Sequence, residues 1–150
     1  MDVISLALSI GSALLALASV GFSVFVYNRK VVYDRRRDTL DAFNTLQEQA
    51  FDTLNAYSRE EIKSILAQRD KEGYQELSRC IARIEHFCVG VQMGIYDRET
   101  VYEMAHGYLD GALWTKLEPV LERKHEGRQE EYYANYRRVV AWMKEKSGAE

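Results

Sequence analysis

Hydroxyl side chains recur at helical spacing in the first apolar stretch, residues 3–27, which contains no charged residue. Five serines, with one alanine that fills the gap in the series, are spaced 4, 3, 4, 3 and 4 residues apart. On a helix these six side chains lie within an arc of about 80°. We call this set the serine face; its members are Ser5, Ser9, Ser12, Ala16, Ser19 and Ser23. Aligned hydroxyls can hydrogen-bond across a helix interface or line a water-filled conduit.

The serine face has three interpretations, which the sequence leaves open. Small residues let helices approach closely, so the face can be a packing seam. Hydroxyl rings can hydrate ions, so the face can line the pore of a homo-oligomer. Each hydroxyl can instead bond to its own helix backbone, in which case the alignment is due to chance. Seam and pore are compatible in a bundle of several helices.

Charged residues that could form a binding site or the mouth of a pore follow the apolar stretch, whereas no Lys or Arg precedes it. They can fix the topology and attract anionic lipid. If the helix continues, they can form charged rings at the mouth of an oligomeric bundle. Three consecutive arginines can also bind phosphate or a nucleotide. The candidate mouth or ligand-binding residues are Lys30, Asp34, Arg35, Arg36 and Arg37.

Catalytic and metal-binding patterns are weak in this sequence. His86, His106 and His125 fall on three predicted segments, and none has a Cys or carboxylate partner at metal-ligand spacing. We find no Gly-rich phosphate loop, nucleophile elbow or paired-carboxylate signature. The sequence therefore predicts a protein that is not an enzyme and holds neither a metal nor a cofactor.

The apolar stretch predicts a retained transmembrane helix. Its 25 residues would cover about 37 Å as a helix, more than the roughly 30 Å of a bilayer's hydrocarbon core. A cleaved signal peptide would carry a basic start, which Met1-Asp2 lacks. Because Arg29, Lys30 and the three arginines all follow the span, we expect the N-terminus outside and the rest in the cytoplasm. Cys80 and Cys88, too far apart on one helix to bridge, agree with a reducing compartment.

The remaining residues predict helices throughout. The fold class is therefore all-α, with one N-terminal transmembrane helix followed by a cytosolic helical bundle of about five helices. We expect a transmembrane helix over residues 1–30, a juxtamembrane helix continuous with it over 31–57, and a cytosolic helical domain over 58–150. The helices of that domain are expected at Ser58 to about Lys71, Tyr74 to Met93, Arg98 to about Gly111, Leu113 to Lys124 and Arg128 to Lys146.

Local signals set these boundaries. Residues 58–61 form a capping box, Gly94 suits a C′ position and Asp97 suits an N-cap. We expect one helix to end at Gly73 before the next begins. We expect Pro119 either to bend the helix that contains it or to mark the first turn of that helix. A loop is expected at residues 125–127.

The helical spacing of apolar residues predicts which side chains face inward. The predicted core comprises Leu40, Phe43, Leu46, Ala50, Leu54, Leu77, Ile81, Ile84, Phe87, Cys88, Val91, Trp114, Leu117, Leu121, Tyr132 or Tyr133, Tyr136, Val139, Val140 and Met143.

Several segments between residues 75 and 143 resemble a family of small, membrane-anchored bacterial proteins whose soluble part is a domain of unknown function. The segments are residues 80–87 (CIARIEHF), 89–97 (VGVQMGIYD), 114–119 (WTKLEP), Arg123 and 132–136 (YYANY). The resemblance implies a bacterial inner-membrane protein with a compact cytosolic helical domain. It implies no catalytic residues.

We expect a homo-oligomeric, single-span membrane protein whose cytosolic domain gates a small channel or membrane-disrupting effector, as in bacterial antiviral defence or stress responses. That function is an analogy of architecture. The alternative is a passive, membrane-anchored adaptor that docks a cytosolic partner. The expected partners are membrane lipid and further copies of the chain, with a nucleotide or nucleic-acid signal or a cytosolic protein as a candidate regulator.

The first prediction concerns topology. Because the basic residues all follow the apolar stretch, a reporter fused after Glu150 should be active only in the cytosol. Paired fusions to green fluorescent protein and to alkaline phosphatase would measure this. Alkaline phosphatase activity from the C-terminal fusion would reverse the orientation.

Overall fold

The computed structural model of the protein describes residues 3–68, 71–122 and 133–149, and within these ranges every regular element is helical. The α-helices are α1 (Val3–Leu46), α2 (Asp52–Ala56), α3 (Arg59–Gln68), α4 (Lys71–Gln92), α5 (Arg98–His106), α6 (Leu113–Leu121) and α7 (Ala134–Ala149). Two π-helical segments, which we name π1 (Gln47–Phe51) and π2 (Gly107–Ala112), lie between α1 and α2 and between α5 and α6. The all-α class and the bundle of about five helices, α3 to α7, are confirmed.

Internal contacts divide the chain into two compact units, Met1–Arg35 and Arg36–Glu150. The first unit is helical from Val3 onwards, and its described side chains from Ser12 to Tyr33 are all exposed. By its length and composition, this helix is long and apolar enough to cross a membrane. The narrower domain limits at residues 30 and 57 stay predictions.

The second unit is built around α4, which packs against α7 and π1. Every side chain of α4 that the sequence places inward is buried, because its apolar residues recur at the helical period. The same holds for the predicted core of α7, from Tyr136 to Met143. Three predicted core positions differ: Leu40 is 43% exposed, and Phe43 and Trp114 are only partly buried. Tyr132 lies outside the described residues, and Tyr133 is partly buried.

Three predicted helix ends are confirmed by their hydrogen bonds: the capping box at Ser58, the Gly94 turn, and the N-cap Asp97, whose Oδ1 accepts from the Thr100 N–H at 2.9 Å. In the capping box, the Glu61 N–H donates to Ser58 Oγ at 3.1 Å and the Ser58 N–H donates to Glu61 Oε2 at 2.7 Å. Hydrogen bonding of the carboxylate to Ser58, first to its backbone N–H and then to its hydroxyl, lowers the pKa of Glu61. Gly94, at φ +70°, completes a Schellman motif after α4: its N–H donates to the Val91 carbonyl at 3.2 Å, and that of Ile95 to the Gly90 carbonyl at 2.9 Å.

Other predicted boundaries are wrong. Gly73 does not break the chain, because it lies in the first turn of α4. No interruption separates the predicted helices before and after Gly111, since π2 joins α5 to α6 in helical conformation. Pro119 lies in the last turn of α6 rather than the first. The start predicted at Arg128 and the loop at 125–127 lie outside the described residues, and α7 begins at Ala134.

Side chains from other helices bond to carbonyls in both π segments. A π-helical turn departs from the regular α-helical ladder and leaves backbone carbonyls in need of other donors. Arg83 Nη1 donates to the Gln49 carbonyl in π1 at 2.6 Å. The buried Tyr136 hydroxyl donates to the Leu109 carbonyl in π2 at 2.7 Å, and its burial raises the pKa of Tyr136. The two π turns are thus stabilised by α4 and α7.

Glu85 of α4 caps the N-terminus of α7. Its Oε1 accepts from the backbone N–H of Asn135 at 3.0 Å and from Asn135 Nδ2 at 2.7 Å, and its Oε2 accepts from the Tyr136 N–H at 2.8 Å. A carboxylate at this end of a helix also interacts favourably with the helix dipole. Tyr133, the residue before α7, has φ 61°, a conformation that is unfavourable for a bulky side chain. The cap from Glu85 therefore holds a helix start that its own sequence disfavours.

The second prediction tests this cap. Glu85→Ala should lower the free energy of unfolding by about 1–3 kcal/mol, because it removes three charge-assisted hydrogen bonds from the start of α7. Urea unfolding of the full chain in detergent, followed by circular dichroism, would measure the change.

The matched control is Glu103→Ala, which removes an exposed carboxylate from α5 and should change stability by less than about 0.5 kcal/mol. Equal effects of the two substitutions would show that Glu85 contributes no cap.

Candidate functional site

Three basic side chains form a row along the exposed side of α4. Arg79, Arg83 and His86 lie four and three residues apart, a spacing that places them on one helix face, and all three are exposed. They border an open groove of about 500 Å³. We call it the α4 groove; the other residues that line it are Ala42, Thr45, Leu46, Gln49, Ala82, Phe87 and Tyr96.

The surface inside the α4 groove is mainly apolar. Leu46 and Phe87 contribute buried side chains, and Ala42 packs against the same core. Phe43 links this floor to π1, because its ring centroid lies 6.0 Å from Phe87 and 5.6 Å from Phe51. The groove therefore combines an apolar floor with a cationic rim.

Tyr96 closes one end of the groove. Its ring stacks on Phe87 with centroids 4.9 Å apart. The ring also lies directly over Gly90, where a Cβ atom would come within 2.4 Å of Tyr96 Cε2. Only a glycine at position 90 allows this close approach. The Schellman turn after α4 then returns the chain so that Tyr96 covers the preceding helical turn.

The rim and the floor together set which ligands the α4 groove can bind. Arg83 is held by the Gln49 carbonyl of π1, so its guanidinium is positioned before any ligand arrives. Guanidinium groups favour phosphate or carboxylate, and an imidazole N–H can donate to either group. An apolar floor favours aliphatic or aromatic surface. The arrangement therefore suits a ligand that has both an apolar part and anionic groups.

The serine face lies on α1. Backbone helix is described for Ser5 and Ser9, whose side chains lie outside the described residues, and Ser12, Ala16, Ser19 and Ser23 are exposed. The Ser23 hydroxyl donates to the Ser19 carbonyl at 2.8 Å. Such a bond within the helix is what the chance interpretation expects, and it also leaves the hydroxyl oxygen able to accept from a neighbour.

The charged candidates divide between the two units. Lys30, Asp34 and Arg35 end the first unit. Arg36 and Arg37 begin the second, in which Arg36 Nε lies 3.8 Å from Asp97 Oδ1, and Arg37 Nε lies 3.8 Å from Asp41 Oδ2. All five side chains are exposed except Asp34, which is half-buried. Their grouping as a mouth or ligand site stays a prediction.

The histidines and cysteines do not converge. His86 lines the α4 groove, whereas His106 Nδ1 lies 2.8 Å from the Tyr102 carbonyl oxygen, and His125 lies outside the described residues. Cys80 and Cys88 are free, as their spacing on one helix predicts. Both are buried, although the sequence predicts only Cys88 in the core, and burial raises the pKa of both thiols. In the part of the chain that the structure describes, no group of three or more His, Cys, Asp or Glu side chains could hold a metal ion.

Sequence reasoning missed the α4 groove. The spacing of Arg79, Arg83 and His86 was available as a signal, because it marks one face of a predicted helix. The apolar floor gave no such signal, because Ala42 and Tyr96 are distant in sequence and come together only in the folded structure.

The third prediction tests how Tyr96 closes the groove. Gly90→Ala should lower the free energy of unfolding by about 1–3 kcal/mol, because the new methyl group would displace the Tyr96 ring from Phe87. Thermal unfolding of the full chain in detergent would measure it.

Gly111→Ala is the matched control, since nothing lies within 4 Å of a Cβ atom at that helical position. It should raise the free energy of unfolding by about 0.4–1 kcal/mol, because alanine lowers the conformational entropy of the unfolded chain. If Gly90→Ala were also stabilising, Tyr96 would not be packed over this turn.

Comparison with known proteins identifies a family whose description names no activity. No curated protein and no solved structure matches the chain. A family model described as a domain of unknown function, DUF4760, matches residues 3–143. The match includes the whole serine face, the α4 groove and the capped start of α7 in one family domain. The chain therefore belongs to the DUF4760 family.

Proposed function

We propose that this protein is a homo-oligomeric, single-span protein of the bacterial inner membrane, in which the helical second unit gates a small channel or membrane-disrupting effector. The observation that carries the proposal is α1: a helix with an apolar surface and one face of aligned hydroxyls. Its second unit would lie in the cytoplasm and its N-terminus outside, following the basic residues after the apolar stretch.

The apolar surface of the first unit supports a membrane location. Ten Leu, Val and Phe side chains between positions 14 and 32 are 37–74% exposed. Leaving that much apolar surface in water forgoes on the order of 10 kcal/mol of burial free energy. The whole net stability of a domain is about 5–15 kcal/mol. The helix is therefore suited to an apolar environment, and lipid supplies one.

The serine face supports assembly. In lipid, apolar side chains give helices little reason to associate, and small or hydroxylated residues dominate helix interfaces. A helix that serves only as an anchor has no need of hydroxyls at this spacing. Several copies with their serine faces turned inward would enclose a polar seam, which becomes a conduit if the bundle is wide enough to admit water.

Residues at the start of the second unit support gating. The Asp97 N–H donates to Thr39 Oγ1 at 2.8 Å, and Thr39 is completely buried. Asp97 is also the N-cap of α5, since its Oδ1 accepts from the Thr100 N–H at 2.9 Å. A change in the packing of α4 and α5 would thus reach the residues that directly follow the basic stretch. The regulator we propose is a nucleotide or nucleic-acid signal, or a cytosolic protein.

The α4 groove favours a second function. A groove with an apolar floor and a cationic rim could dock an acidic, partly apolar segment of a cytosolic protein. The chain would then be an adaptor that holds its partner at the membrane. In that case the serine face would only pack helices against one another, and no ions would pass along it.

The fourth prediction separates these functions. Cysteine placed at Ser12 or Ser19 should crosslink between chains in membranes more readily than cysteine at Leu14 or Phe22, which lie on other faces of the helix. Ion flux from liposomes that contain the protein should fall when Ser12 and Ser19 are both replaced by Leu, which removes hydroxyl rings and narrows a lumen.

Replacement of the same two residues by Ala is the matched control, because Ala keeps the close approach of the helices but removes the hydroxyls. Flux lost with Ala while crosslinking persists would support a conduit. Equal crosslinking at all four positions would remove the serine face as the interface. Absence of flux from every variant, with assembly intact, would favour the adaptor.

A further inference from the structure

The second unit exposes few large apolar side chains, and they share one region. Among its described residues these are Leu40, Met93 and Ile95, which are 43%, 71% and 57% exposed. Met93 and Ile95 flank Gly94 in the Schellman turn after α4. Nothing lies within 4 Å of a Cβ atom at Gly94, so the space beside this residue of the turn is open.

Hydrogen bonds hold this turn beside Leu40. The bond from the Asp97 N–H to Thr39 Oγ1 joins the end of the turn to the residue before Leu40. Arg36 lies one helical turn before Leu40 and also contacts Asp97, with Nε 3.8 Å from Oδ1. The three exposed apolar residues therefore belong to two segments that Asp97 joins at the start of the second unit.

Chain length keeps that point close to the apolar stretch. Only residues 28–35 separate Tyr27 from Arg36. Whatever their conformation, nine residue steps span no more than about 30 Å. If the apolar stretch lies in a bilayer, its tether confines Arg36, and with it the turn, to the neighbourhood of the lipid surface.

We propose that the Met93–Ile95 turn and Leu40 form a lipid-contacting surface that inserts into the interfacial region of the bilayer. The proposal rests on the membrane location proposed above and adds a second point of membrane attachment, which would limit how the second unit can rotate about its tether. Apolar side chains that are exposed on a turn are suited to such insertion.

Electrostatics contributes little to this contact, because the nearby charges are balanced. Arg36 faces Asp97, and Arg37 faces Asp41 at 3.8 Å. The surface therefore carries no excess of positive charge to select anionic lipid, and insertion should occur in neutral phosphatidylcholine as well.

The test uses the full chain reconstituted in phosphatidylcholine vesicles that carry a nitroxide quencher on the acyl chains. Single cysteines at Leu40, Met93 or Ile95 are labelled with a nitrobenzoxadiazole fluorophore, and quenching is measured. Cys80 and Cys88 are buried and should not compete for the label, since burial raises the pKa of the Cys88 thiol. Circular dichroism checks that each labelled variant keeps its helix content.

Two labelled variants calibrate the signal. Val20→Cys lies in the apolar stretch and should be strongly quenched, whereas Glu103→Cys lies on an exposed part of α5 and should be quenched weakly. We expect quenching at Met93 and Ile95 to be several-fold greater than at Glu103, with Leu40 between them. Adding phosphatidylglycerol should leave the pattern unchanged.

Each contrary result has a distinct meaning. Strong quenching at Val20 with no excess at Met93 and Ile95 over Glu103 would overturn this inference and leave the membrane location standing. Quenching at Met93 that requires phosphatidylglycerol would overturn the apolar mechanism. Absence of quenching at Val20 would overturn both proposals.

Discussion

Burial of the apolar stripe of α4 is the constraint on which the second unit depends. The stripe runs from Leu77 to Val91 and packs against α7 and π1. Because one side of the helix is committed to the core, its remaining polar side chains are placed in fixed directions. Glu85 then reaches the start of α7, and Arg83 reaches the Gln49 carbonyl. The cap on α7, the bond to π1 and the α4 groove all depend on the position of this helix.

Structure that is encoded locally could be predicted from the sequence. The capping box at Ser58, the positive φ at Gly94 and the N-cap at Asp97 each depend on residues within a few positions, and all three are confirmed. The core face of α4 is confirmed for the same reason, since periodicity needs no knowledge of the partner helices.

The errors arise where distant residues decide the backbone. Gly73 ends no helix: it lies in the first turn of α4, and among the described glycines only Gly94 has a positive φ. The helix does not break at Gly111, because Tyr136 supplies a donor to the π2 carbonyl of Leu109 from far along the chain. The floor of the α4 groove depends on Tyr96 lying over Gly90, a contact that requires the completed turn. None of these donors or contacts leaves a periodic signal.

Asp97 shows how one residue can serve both the fold and the proposed gating. As an N-cap it begins α5, as a partner of Thr39 and Arg36 it holds the start of the second unit, and it directly follows the turn that exposes Met93 and Ile95. A ligand in the α4 groove would contact Tyr96, the residue that precedes Asp97. Displacement of Tyr96 would therefore act on the backbone that donates to Thr39, which is a direct physical route from the groove to the residues nearest the apolar stretch.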